Sequence, residues 1–134
     1  MKPNIIVSLQ DLERLETLLD SLPASFDSKD ALLNELGRAE IIESTDMPPT
    51  VVTMHSKVRF EIDHPHEEFC LTLVYPKELT QGANQISVLT PIGTALLGLS
   101  VGDVIDWPRR DGQMSRVRIL DVLYQPEHSA DFIR

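Results

Sequence analysis

An α+β fold is predicted for this chain: a short N-terminal antiparallel helical hairpin, then a C-terminal antiparallel sheet carrying one short helix. Three observations predict it. Leucines recur at three- and four-residue spacing from Leu9 to Leu22 and again from Leu32 to Leu36, the period of a helix. Apolar and charged residues alternate from Lys57 to Ile62, the period of a half-buried strand. Between Ile86 and Tyr124 a strand, a Thr-Pro-started helix, a Gly-Asp turn and a hairpin follow one another without filler.

The hairpin begins at Ser8, which with Asp11 makes a capping-box-like start; Leu9, Leu12, Leu15, Leu19 and Leu22 then form one apolar stripe. Pro23-Ala24-Ser25 stops this helix. Asp27 or Ser28 caps a second, whose stripe is Leu32, Leu33, Leu36 and Ala39. Each helix is expected to run about fourteen residues, hence roughly 20 Å at about 1.5 Å per residue. The run Ser44-Thr45-Asp46-Met47-Pro48-Pro49 is incompatible with helix and reads as a linker, dividing the chain into a hairpin (1–46) and a domain (47–134).

In that domain Val58, Phe60 and Ile62 share one strand face, and Asp63 to Glu68 forms the turn. On the return strand Phe69, Leu71, Leu73 and Tyr75 face one way while Cys70, Thr72 and Val74 face the other, as burial on both sides requires. The strand Ile86 to Leu89 enters Thr90-Pro91, where the Thr90 hydroxyl caps a helix and Pro91 fits its first position, needing no amide partner. Ala95, Leu96, Leu97 and Leu99 are its buried stripe, and Gly98 supplies a left-handed stop. Val101-Gly102-Asp103 is a turn, Val104 to Trp107 a strand with Trp107 assigned to the core, Asp111-Gly112 a hairpin dipeptide, and Val117 to Tyr124 the final strand.

Net charge is −9 over 134 residues, and residues 1–50 hold ten acids against four bases. Such a surface repels a phosphate backbone, so direct nucleic-acid binding is not expected; Arg109, Arg110, Arg116 and Arg118 read as a solvated strand face. No apolar run is long enough to span a membrane, the opening Met-Lys-Pro-Asn-Ile-Ile-Val is too short for a secretory signal, and Cys70 has no partner cysteine. These features predict a cytoplasmic protein.

Candidate chemistry is sparse. His64 and His66 with Glu67 and Glu68 offer two imidazoles and no thiolate, too few ligands for a metal site. His55 and His128 stand alone, Ser8, Ser56 and Ser87 lack a nucleophile context, and there is no glycine-rich phosphate loop. Neither catalytic residues nor cofactors are expected, and the protein is read as a non-enzyme.

The segment from Ile86 to Tyr124, with Val51-Val52-Thr53-Met54 and the strand Lys57 to Ile62, resembles the C-terminal domain of the Gre transcript-cleavage factors. In that family a Ser-Pro step opens a short Ala-Leu-rich helix before Gly-Asp and a hairpin ending near a Tyr; Thr90 stands where Ser is usual. The segments from Met47 to Met54, Thr72-Leu73-Val74-Tyr75-Pro76 and Tyr124-Gln125-Pro126-Glu127 are similar to a smaller branch, the Rnk-type regulators of nucleoside diphosphate kinase. The resemblance implies an FKBP-like sheet domain behind a coiled-coil hairpin. It also implies docking on RNA polymerase near the secondary channel, with Leu89, Thr90 and Pro91 at the contact, and an effect on the kinase pathway for which an indirect transcriptional route is simpler.

Gre factors use a much longer coiled coil to carry acids to the catalytic magnesium. Here Asp20, Asp27 and Asp30 lie at the hairpin tip, but capping and the helix dipole explain Asp near a helix start. The short reach implies occupancy of the channel entrance without cleavage. The alternatives are a cleavage factor acting through those acids and a vestigial prolyl isomerase, for which the aromatic content of 5% is thin.

Overall fold

Ser8 ends a strand and starts a helix. Its backbone is extended, and its hydroxyl accepts a hydrogen bond from Asp11 N at 3.0 Å, so strand β1 (Ile6–Ser8) passes directly into helix α1 (Leu9–Asp20). The helix stops at Ser21, whose N–H and hydroxyl both turn back onto the last carbonyls. Helix α2 (Asp27–Arg38) returns, and the Lys29 ammonium donates to Leu22 O at 3.0 Å across the connection. The chain then forms strand β2 (Glu40–Ile42), parallel to β1 in the register Ile6↔Glu40 and Ser8↔Ile42. The hairpin is therefore also the crossover of a small parallel pair, which the sequence pattern did not suggest. The computed structural model describes residues 4–23, 27–63, 66–80, 84–108 and 112–125, apart from the side chains at 27, 28, 107 and 108.

The second sheet has the order β5-β4-β3-β7-β6, built from β3 (Lys57–Ile62), β4 (Glu67–Val74), β5 (Gln85–Ser87), β6 (Val104–Pro108) and β7 (Met114–Tyr124). Strand β3 lies between β4 and β7, antiparallel to both, with Val58 and Phe60 turned into the core. One expectation is corrected here. The sheet is mixed, because β5 pairs parallel with β4 through Thr72↔Gln85 and Val74↔Ser87. Having left β4 at Val74, the chain re-enters beside Thr72 at Gln85, so β5 runs in the direction of β4. Helix α3 (Pro91–Leu96) follows β5, and Gly98 at φ +84 ends it as expected.

Both halves of the chain fill one core. Leu15, Leu19, Leu32 and Leu36 belong to the same cluster as Val52, Met54, Phe60, Leu96 and Ile119. Isolated helices of twelve residues are marginal in water. Each leucine buried against the sheet contributes roughly 1.5–3 kcal/mol, so packing rather than propensity holds the hairpin. The stripes are narrower than their sequence spacing suggests, for Leu9 and Leu33 are 41% and 43% exposed. Backbone bonds reinforce the seam: Ile6 N donates to Gly98 O at 3.1 Å, and Gly98 N donates to Val52 O at 2.8 Å.

Candidate functional site

The Thr90-Pro91 step is a closed hydrogen-bond unit. Thr90 Oγ1 accepts from Gly93 N at 3.0 Å and donates to Ser87 O at 2.8 Å, while Thr94 Oγ1 donates to Val88 O at 2.7 Å. Leu89 N donates to Ser87 Oγ at 3.1 Å. With these polar groups satisfied internally, the turn presents a fixed, uncharged surface at which Leu89, Thr90, Pro91 and Ile92 are all half-buried. Such a surface can dock a partner; it carries no group for acid-base or nucleophilic chemistry.

The tip acids are dispersed in character. Asp20 ends α1 and Asp30 lies in the first turn of α2, both exposed, while the side chain of Asp27 lies outside the described residues. Among the described residues no hydrogen bond or ion pair joins Asp20 to Asp30, and no group of three or more His, Cys, Asp or Glu is placed to hold a metal ion. His66 meets Glu61 at 3.4 Å; His64 and His128 lie outside the described residues, as does the side chain of Trp107. No described helix is long and apolar enough to cross a membrane.

A groove of about 600 Å³ was not anticipated from the sequence. One wall is α1, through Arg14, Thr17, Leu18 and Ser21; the other is the turn Tyr75 to Glu78 together with His55. His55 holds φ at +68, a region costly for a residue with a Cβ, and its N–H donates to Leu73 O at 2.6 Å. Its ring nitrogen Nε2 lies 2.7 Å from Glu78 Oε1, which also accepts from Tyr75 N at 3.0 Å. Burial pushes the Glu78 carboxyl up, but the bonds from His55 and Tyr75 N, with the nearby charges of His55 and Lys77, outweigh it and hold the group below its ordinary value.

The Tyr75 and His55 rings meet edge to face, their centroids 5.6 Å apart. Burial drives its phenol well above the usual range, with Asp11 and Glu78 adding and Arg14 opposing. The hydroxyl is buried and no acceptor takes its proton, while the Arg14 guanidinium lies near enough to act on its oxygen as a charged donor. Neither His55 nor Glu78 sits in a recognisable motif; they stand 23 positions apart and meet only because β3 and β4 pair between them.

A capped α3 against a mixed sheet, preceded by a helical hairpin, is a fold shared with a solved Gre-type transcription factor. Residues 47–124 match the family model described as "Transcription elongation factor, GreA/GreB, C-term", and residues 3–42 match "Rnk N-terminus". The "Regulator of nucleoside diphosphate kinase" of Escherichia coli (strain K12) is 41% identical over 133 residues, covering 98% of each chain. "Transcription elongation factor GreA" of Clostridium botulinum (strain Alaska E43 / Type E3) is 32% identical over 91 residues, 68% of this chain and 56% of that protein. A solved "Prokaryotic transcription elongation factor GreA/GreB from Nitrosomonas europaea" shares 53% identity at a TM-score of 0.72, covering 92% of this chain and all of that one. The chain belongs to the GreA/GreB family, in its Rnk branch, whose named relatives are regulators and transcription factors rather than enzymes.

Proposed function

We propose that this protein is a non-enzymatic cytoplasmic regulator that docks on RNA polymerase beside the secondary channel and occupies its entrance without stimulating transcript cleavage. The observation that carries this reading is the length and seating of the hairpin. Its helices have twelve residues each, so they extend roughly 18 Å at about 1.5 Å per residue. Their leucines are packed in the common core, which shortens the reach further. Acids at such a tip stop short of a metal ion held deep in a channel, so Asp20, Asp27 and Asp30 are dispensable. Leu89, Thr90 and Pro91 form the contact, supported by the fixed turn that their hydrogen bonds create. Regulation of nucleoside diphosphate kinase, for which the Escherichia coli relative is named, then follows indirectly from altered transcription.

The test is a stalled elongation complex with a Gre factor. Excess protein is expected to reduce Gre-stimulated cleavage, equally for wild type and for Asp27→Asn/Asp30→Asn, and to cause none itself. Cleavage by the wild type that vanishes in the double variant would replace this reading with a cleavage factor. Pro91→Asp, checked for fold by circular dichroism, is expected to weaken polymerase binding about tenfold or more. Undiminished binding by a folded variant would move the contact elsewhere.

A further inference from the structure

We propose that the groove between α1 and the Tyr75 to Glu78 turn binds a small organic anion, a carboxylate or phosphate joined to a flat apolar body, held by Arg14, Lys77 and the Tyr75 hydroxyl. The assignment does not depend on the polymerase reading. On a chain of net charge −9, this groove is lined by two cations, Arg14 and Lys77, neither of which forms an ion pair with another described residue. Its one carboxylate, Glu78, is already engaged by His55 and Tyr75 N through the same oxygen. Asp11, the other acid whose charge reaches Tyr75, is buried and accepts from Met54 N. The lining thus sets two cations against one carboxylate whose Oε1 is already bonded, a balance that favours an anion.

The Tyr75 hydroxyl adds a second, independent indication. The residue is only 8% exposed and lines the groove, yet no acceptor takes the hydroxyl proton, and buried polar groups in folded proteins are nearly always satisfied. Its raised pKa keeps it protonated, so what it lacks is an acceptor. A ligand oxygen supplies one while the guanidinium of Arg14 grips the same anionic group. Leu18 and Pro76 are the apolar surfaces on which the rest of the ligand would lie. A cationic ligand would meet two like charges, and a purely apolar one would leave the hydroxyl unpaired.

The experiment is a titration of the full ¹⁵N-labelled chain with benzoate, with phenyl phosphate and with benzylamine, followed by amide chemical shifts. Saturable shifts are expected at Thr17, Leu18, His55 and Lys77 with at least one of the anions and not with the amine; the tighter anion tells carboxylate from phosphate. Arg14→Gln is expected to weaken that binding about tenfold, the weight of one charge-assisted hydrogen bond. Lys77→Gln, at an exposed position, is expected to weaken it severalfold without touching the fold. Tyr75→Phe is expected to weaken it severalfold while leaving the melting temperature equal or higher, because it deletes an unsatisfied hydroxyl. No saturable shift with either anion, equal binding of benzylamine, or full affinity in folded Arg14→Gln and Lys77→Gln would each overturn the proposal.

Discussion

Gly93→Ala is expected to destabilise the protein severely, by more than ~3 kcal/mol, although it adds a single methyl group. A Cβ at this position would sit 2.0 Å from Ser87 O, 2.9 Å from the Ser87 carbonyl carbon and 2.9 Å from Thr90 Oγ1. The first two are backbone atoms. Relief therefore requires moving the end of β5 away from α3, which breaks the bonds from Thr90 N and Thr90 Oγ1 to Ser87 O. Gly37→Ala is the matched control. Nothing lies within 4 Å of a Cβ there and its φ is not positive, so alanine in α2 is expected to stabilise by about 0.5–1 kcal/mol. Urea titration of both variants checks the pair. A Gly93→Ala midpoint near that of the wild type would mean that the β5 to α3 turn is soft, and a soft turn could not serve as the fixed docking surface.

Much of this turn was legible, because its determinants are local. Thr90 as cap, Pro91 at the first helical position and Gly98 as left-handed stop are consequences of neighbouring residues and came out where the sequence placed them. The alternation from Lys57 to Ile62 likewise predicted β3 residue for residue. Strands β1 and β2 were not legible, since three residues apiece give no period to detect. The parallel pairing of β5 escaped for a different reason: strand direction is decided by the path of the connection, and after Val74 the sequence shows no helix of the length that usually marks a parallel crossover. The groove lay furthest from view. His55, Tyr75 and Glu78 acquire their interest from distances across the fold, and Arg14 approaches them only because α1 is laid against the sheet. Asp11 was read as a helix-start residue, which it is, but its carboxylate has a second engagement that spacing could not reveal.

That engagement makes Asp11→Ala the other substitution of large expected effect, at about 2–4 kcal/mol of destabilisation. Asp11 is 5% exposed, and its Oδ2 accepts from Met54 N at 3.1 Å, joining α1 to the start of the sheet domain across 43 positions. Met54 is itself 1% exposed, so removing the acceptor strands a buried N–H as well as losing a charge-assisted bond. Asp11→Asn retains an acceptor oxygen and should lose roughly half as much. The more informative reading is the shape of the transition. If the segments 1–46 and 47–134 are held as one cooperative unit by the shared core, amide exchange in α1, α2 and β3 of Asp11→Ala should accelerate by the same factor and urea unfolding should stay a single step. Exchange that accelerates in α1 and α2 alone, with β3 unchanged, would show the hairpin to be a separable module docked on an independent domain. In that case the leucine stripes of the hairpin could be released to a partner, and its reach into a channel would no longer be limited by its seat on the sheet.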